Sequence, residues 1–227
     1  MIRFRTETEL PTGKYRISHR NNLLLAGSCF ADNIGSMLAD RKFNIGINPF
    51  GILYNPLSIA TMLTRIIEGK PFTADSPELF EHNGKWHSIL HHGDFSRNTK
   101  EELLEILNKR IQESHKRAVG CDTVIITFGT AYAYIRKDDG VVAGNCHKLP
   151  TETFTRRLLG IDEIVDTTAE VINAYRKHNP DIKFMFTVSP IRHLRDGAHD
   201  NQKSKATLLL AIDKIQSLFP ENTLYFP

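Results

Sequence analysis

The sequence contains no run approaching about 18 consecutive apolar residues, and its N-terminus lacks the apolar stretch of a signal peptide. It therefore gives no support for a membrane span, and the cytoplasm is the expected location. Charge of one sign is also lacking, since 29 basic and 26 acidic residues leave a net charge of only +3. Without a strongly basic composition, no nucleic-acid partner is expected.

Cysteine motifs and cofactor motifs are equally scarce. Cys29, Cys121 and Cys146 are too far apart in the sequence for a zinc knuckle or a CxxC redox pair, so they are interpreted as reduced thiols. Four histidines lie within residues 82–92, but without the HExxH pattern, and no metal is expected. Neither a GxxxxGK[ST] nor a GxGxxG motif is present, so no nucleotide cofactor is expected.

What the sequence does contain is a regular alternation of short apolar runs and helical patterns. Residues 23–26 predict a buried strand that leads through Gly27 into a helix, and similar apolar strands are predicted at 122–128 and 183–188. This alternation predicts a three-layer α/β/α fold with a mainly parallel, doubly wound sheet of the flavodoxin-like type. The length of 227 residues fits a single domain.

Two segments interrupt that alternation. Residues 72–97 are predicted to form a hairpin or a loop excursion over the active face. Residues 131–150 contain Asp139-Gly140 between two short β-like runs, which is the pattern of a β-hairpin.

The loops that follow the predicted strands carry the candidate chemistry, because ligands bind at the carboxyl ends of parallel strands. Four of them hold reactive or hydrogen-bonding side chains: 27–30, 48–51, 129–132 and 189–193. Ser28 lies between a strand and a helix, where unpaired amides and the positive end of the helix dipole favour an alkoxide and an oxyanion. The same position suits a serine that only caps the helix, and the spacing leaves both interpretations open.

The segment LLLAGSCFADNIG resembles the signature of the GSCFA-domain family, a branch of the SGNH or GDSL-like hydrolase superfamily, and residues 27–31 match it letter for letter. The segments NPFGILYNP, ITFGTAYAY, NCHKLP and TVSPIRH are similar to that family's other blocks. The resemblance implies an SGNH-type fold and a serine nucleophile, Ser28, activated by a histidine. It also implies an oxyanion hole made of the serine amide, a glycine amide and an asparagine side chain; Ser28 and Gly51 match the first two.

The third oxyanion donor departs from the superfamily's GxND block. Gly129 is followed by Thr130 and not by asparagine, so Thr130 or Asn145 is the expected donor. His147 lies in the same NCHK block as Asn145 and is also counted among the expected oxyanion or substrate-binding residues.

The catalytic base departs from the pattern as well. The superfamily places Asp-x-x-His after the last strand, and no such block precedes Pro227. His193 is the candidate substitute base, although Pro190 and not an aspartate lies three residues before it. We therefore expect residues 1–227 to lack the C-terminal portion of the domain with the histidine and aspartate of the triad, in which case His193 lines the site. Arg192 beside it is expected to bind a carboxylate or phosphate of the substrate.

The resemblance implies a serine esterase, acyl hydrolase or acyltransferase that acts on an acylated small molecule, with a carbohydrate ester as the suggested substrate class. The alternative is a non-catalytic domain on the same fold that binds an acyl-sugar or a peptide, which the missing Asp-x-x-His block favours. A lesser alternative makes Cys146 or Cys29 the nucleophile. The oligomeric state stays open.

Overall fold

The structure is a computed structural model that describes residues 15–192 and 194–227. The ten strands found there are β1 (Asn22–Gly27), β2 (Asn44–Ile47), β3 (Leu79–His82), β4 (Lys85–Ser88), β5 (Thr123–Phe128), β6 (Tyr132–Arg136), β7 (Val142–Ala143), β8 (Phe154–Leu158), β9 (Lys183–Val188) and β10 (Thr223–Tyr225). The five α-helices are α1 (Cys29–Asp40), α2 (Pro56–Glu68), α3 (Lys100–Val119), α4 (Ile161–Arg176) and α5 (Gly197–Leu218).

Five strands form the central sheet, in the order β10-β9-β5-β1-β2, and every neighbouring pair is parallel. The chain runs first from β1 outward to β2 and then crosses back over β1 to β5. The direction of winding therefore reverses between β1 and β5, and the carboxyl ends of these two strands form the topological switch point. In their register, Gly27 lies opposite Thr127.

Helices cover both faces of this sheet. Helix α1 packs on the face that presents Leu23, Leu25 and Ile125. Helices α2, α3, α4 and α5 contribute to the larger core on the opposite face, which includes Leu24 and Phe184. The prediction of an α/β fold with a mainly parallel sheet between helical layers is thus confirmed. β5 is apolar along most of its length because it is covered on both sides.

Local sequence signals explain where the helices begin and end. Asn55 caps α2 by accepting from the Ser58 N–H, Pro56 takes the first helical position, and Gly69 ends the helix in the left-handed region with φ 62°. Helix α3 begins with a capping box between Thr99 and Glu102. No described helix is both long and apolar enough to cross a membrane.

Both predicted interruptions contain hairpins. Strands β3 and β4 pair antiparallel around a turn at Asn83 and Gly84. Strands β6 and β7 form the predicted second hairpin, and β8 pairs with the other edge of β6, with Tyr132 opposite Leu158. The second excursion therefore extends to Leu158 and not only to residue 150. The sequence FTRRL of β8 lacks an alternating apolar pattern, so the position of this strand depends on its pairing with β6.

Candidate functional site

The turn between β1 and α1 places Ser28 at the switch point of the sheet. Gly27 adopts φ +129°, and a Cβ there would lie 2.2 Å from the Thr127 carbonyl oxygen, so the turn requires glycine. Ser28 is 1% exposed and is the N-cap of α1. Its Oγ accepts from the Phe30 N–H at 3.3 Å, which places the hydroxyl at the positive end of the helix dipole.

The two backbone amides implied for an oxyanion hole have partners inside the protein. The Ser28 N–H donates to the Thr127 carbonyl at 3.1 Å, and the Gly51 N–H donates to the Asn48 carbonyl at 2.7 Å. Either amide would have to exchange that partner to bind an oxyanion. One hydroxyl beside the turn is still unused, because the buried Thr127 Oγ1 has no hydrogen-bond partner among the described residues.

Asn48 ties the loop after β2 to the turn at Ser28. It is buried at φ 39°, its Oδ1 accepts from the Gly27 N–H at 2.9 Å, and its own N–H donates to the Leu25 carbonyl at 2.9 Å. Its Nδ2 donates to Asp32 in α1 at 3.3 Å. One asparagine thus fixes the end of β1, the end of β2 and the first turn of α1 relative to one another.

A cleft of about 470 Å³ is lined by residues of the β6–β8 sheet, of the loop at Asn145 and of the 3-10 turn before α5. Tyr54 connects this cleft with the loop after β5. Its carbonyl accepts from the Gly129 and Thr130 amides, and its ring lines the cleft. Burial raises the pKa of its hydroxyl, and the nearby Cys29 raises it further. The expected residues Thr130 and Asn145 line this cleft.

The other expected residues do not line the cleft. Ser28 and Gly51 are not among its lining residues, Arg192 is exposed, and His147 is buried. His193, the expected base, lies outside the described residues. In the part of the chain that the structure describes, no histidine forms a hydrogen bond with the Ser28 Oγ.

Thr130 and Asn145 differ in the capacity they have left for a ligand. The Thr130 Oγ1 bonds with the Ser204 Oγ at 3.1 Å and accepts from the Tyr132 N–H at 3.1 Å. Asn145 uses its Oδ1 to accept from the His147 N–H at 2.8 Å, while its side-chain NH2 has no partner within the described ranges. Asn145 therefore offers the freer donor.

The cleft has a charged wall, formed by Tyr132, Arg156, Arg195 and Asp196. The Arg156 guanidinium lies 3.8 Å from the centre of the Tyr132 ring, and its Nη2 donates to the Asp196 carboxylate at 2.6 Å. Arg195, in the short 3-10 turn before α5, also lines the cleft. Stacking and the ion pair together hold the Arg156 plane in one orientation.

Lys205 fixes the loops at the ends of β5 and β9 relative to each other. Its Nζ donates to the Gly129 carbonyl at 2.5 Å and to the Ser189 carbonyl at 2.6 Å. Burial lowers the pKa of this ammonium, because desolvation disfavours its charged form. The lysine thus places a positive charge at the carboxyl edge of the sheet, close to Thr130.

A comparison with known protein families matches this architecture to one of them. The family model of the GSCFA family matches residues 22–227. The chain belongs to the GSCFA family. The match begins at β1 and includes every strand and helix described above. No curated protein and no solved structure matches the chain.

The thiol alternative can be examined in this GSCFA chain. Cys146 lines the cleft, but burial raises its pKa to about 11, even though nearby Arg195 acts in the opposite direction. At neutral pH it is therefore a protonated thiol, whereas nucleophilic attack needs the thiolate. Cys29 is exposed beside Ser28.

The histidines of residues 82–92 are used in packing and local hydrogen bonds. His87 Nδ1 bonds with the Ser96 Oγ at 2.7 Å, and His91 Nδ1 bonds with the Ser88 Oγ at 2.8 Å. Burial holds the pKa of His91 well below its usual range. Across the described ranges, no group of three or more His, Cys, Asp or Glu side chains is placed to hold a metal. None of residues 72–97 lines the cleft.

Several residues of the site carry no clear signal in the sequence. Tyr54 and Asn48 belong to the NPFGILYNP block, whose Gly51 alone was expected to act. Arg156 and Asp196 are 40 residues apart, and only the fold brings them together. Lys205 resembles any lysine on the polar face of a helix, and its contacts with two strand ends are visible only in the structure.

Proposed function

We propose that this GSCFA chain is a serine hydrolase or acyltransferase of the SGNH type that cleaves an ester bond of an acylated small molecule. The observation that carries the proposal is the position of Ser28. It is the N-cap of α1 at the carboxyl ends of the paired strands β1 and β5, and Thr130, in the loop after β5, lines the cleft of about 470 Å³. Tyr54 lines the cleft, is 41% exposed and suits a sugar ring, so an acylated carbohydrate is the substrate class that we favour.

The mechanism that we propose uses Ser28 as the nucleophile and His193 as the candidate base. The Ser28 Oγ attacks the ester carbonyl carbon, its proton passes to His193, and the leaving alcohol receives that proton. The acyl-serine is then cleaved by water or by an acceptor alcohol. The N-terminus of α1 and the Asn145 NH2 supply positive charge and a donor for the oxyanion.

A second candidate function is ligand binding without turnover. It is favoured by the internal hydrogen bonds of the Ser28 and Gly51 amides and by the bond of the Ser28 Oγ to its own helix. On this alternative the cleft binds an acyl-sugar or a peptide, and Ser28 only caps α1.

An esterase assay with matched cap variants tests the first proposal. We expect the wild type to hydrolyse 4-nitrophenyl acetate and to react with a fluorophosphonate probe, and Ser28→Ala and Ser28→Gly to lose at least about 1000-fold in kcat/KM. Thr99→Ala is the control, because it removes the N-cap of α3 at a similar cost of about 1 kcal/mol. Its kcat/KM should stay within about twofold of the wild type.

The outcomes separate the two functions. Equal rates for the wild type and both Ser28 variants would remove Ser28 from the mechanism. A wild type that neither hydrolyses esters nor reacts with the probe, but binds small acylated ligands, would establish the binding domain instead.

A further inference from the structure

We infer that the cleft recognises an anionic group of its ligand, a carboxylate or a phosphate, between Arg156 and Arg195. The inference names the substrate class of the site described above, so it rests on the proposal that this cleft is where the substrate binds. It concerns two arginines that no sequence motif identified.

The charges that line the cleft do not balance. Arg156 and Arg195 contribute two positive charges, and Asp196 is the one carboxylate among the lining residues that the structure describes. That carboxylate is already bonded to Arg156 and is only 10% exposed. Arg195 is exposed, and among the described residues it has neither a hydrogen bond nor an ion pair. A net positive charge therefore stays available to a ligand.

Arg156 is held ready to donate. The side chain is 32% exposed, its plane is stacked on Tyr132, and only its Nη2 is bonded, to Asp196. Its Nε and Nη1 have no hydrogen-bond partner in the part of the chain described. A planar guanidinium fixed by stacking loses little conformational entropy on binding, and its remaining N–H groups suit the oxygens of a carboxylate or phosphate.

The start of α5 adds to the positive potential at the same rim. Asp196 is the N-cap of this 22-residue helix, but its side chain makes no cap hydrogen bond because it turns to Arg156. The first amides of α5 thus lack a side-chain acceptor, and the positive end of the helix dipole lies at the edge of the cleft. This dipole supports the two arginines and does not replace them.

The test measures binding separately from turnover, in the Ser28→Ala background. The probes are N-acetylglycinate, inorganic phosphate and the neutral N-acetylglycinamide, titrated by calorimetry at low salt. We expect at least one anion to bind about tenfold more tightly than the amide, because a charge-assisted hydrogen bond to a partly exposed arginine supports a difference of that order. The tighter of the two anions identifies the ligand group as carboxylate or phosphate.

Three arginine variants show whether the cleft is responsible. Arg195→Gln and Arg156→Gln should each reduce the preference for the anion to about twofold or less. Arg20→Gln is the matched control, since Arg20 is exposed before β1 at the opposite end of the sheet. The preference of this variant for the anion over the amide should equal that of the Ser28→Ala protein. Because Arg195 is exposed, its variant should fold normally, which keeps the test valid even where Arg156→Gln does not fold.

The result also stays distinct from that of the ester assay. Equal binding of the amide and both anions, or an equal loss of preference in Arg20→Gln and Arg195→Gln, would overturn the inference even if the wild type hydrolyses esters. Anion binding that depends on Arg195 in a protein that hydrolyses no ester would support the inference and contradict the proposed hydrolase.

Discussion

The turn at Ser28 and the wall of the cleft are built in opposite ways. At the turn, backbone groups of Gly27, Ser28 and Gly51 are bonded inside the protein, and most contacts join strand ends to neighbouring loops. In the wall, long side chains from β6, β8 and the 3-10 turn before α5 contact one another directly, and Arg195 is left without a partner among the residues described.

This difference indicates which residues hold the loops together and which are free to contact a ligand. A buried turn with satisfied backbone groups tolerates little change, because any displaced N–H or carbonyl loses its partner inside the protein. The wall is more exposed, with the Arg156 side chain 32% exposed and Arg195 exposed and unpaired among the described residues, so positive charge stays available there. Substitutions at the turn should therefore reduce stability, whereas substitutions in the wall should alter binding.

The largest effect is expected from Gly27→Ala. Its φ of +129° is outside the range of L-residues, and the new Cβ would meet the Thr127 carbonyl at 2.2 Å, so we expect a loss of more than about 4 kcal/mol in the free energy of unfolding. Gly84→Ala is the matched control, with φ +69° and no atom within 4 Å, and should lose only about 1 kcal/mol. Urea denaturation measures both. Similar losses would show that the turn is not closely packed.

A smaller effect is expected from His147, which follows Cys146 in the chain and is buried. Burial lowers its pKa from 6.5 to about 4, and its Nε2 bonds with the Ser88 carbonyl at 2.8 Å. The unfolded chain binds the proton at higher pH than the folded one does. The free energy of unfolding therefore contains the full contribution of neutral His147 above pH 6.5. As the pH falls towards 4 this contribution is lost, which lowers the free energy of unfolding by on the order of 3 kcal/mol.

His147→Gln isolates that contribution. The glutamine amide can also donate to the Ser88 carbonyl but does not titrate in this range, so the variant should lose less stability than the wild type between pH 7 and pH 4. Denaturant unfolding at a series of pH values measures the difference. His199→Gln, an exposed substitution in α5, is the control and should follow the wild-type profile. If the free energy of unfolding of the wild type and of His147→Gln changed with pH in parallel, His147 would titrate alike in the folded and the unfolded protein.

The same contrast explains how far the sequence alone could predict the molecule. The strand at residues 23–26, the turn at Gly27 and the helix after it are encoded within a few residues, and the structure places them where the pattern predicts. Strand β8 was missed because its place depends on pairing with β6. The contact of Arg156 with Asp196 spans 40 residues and has no local pattern, so only the fold reveals it.

The smallest of these effects is expected from Asn48→Ala, which tests whether one side chain joins the turn to its surroundings. The change leaves the Gly27 N–H without its acceptor, removes the bond to Asp32 and puts alanine at φ 39°, so we expect a loss of about 2 kcal/mol in the free energy of unfolding. Asn44→Ala, exposed at the start of β2, removes one bond from Arg117 and should lose less than about 1 kcal/mol. Equal losses in urea denaturation would mean that the end of β1 is held by its backbone pairing alone.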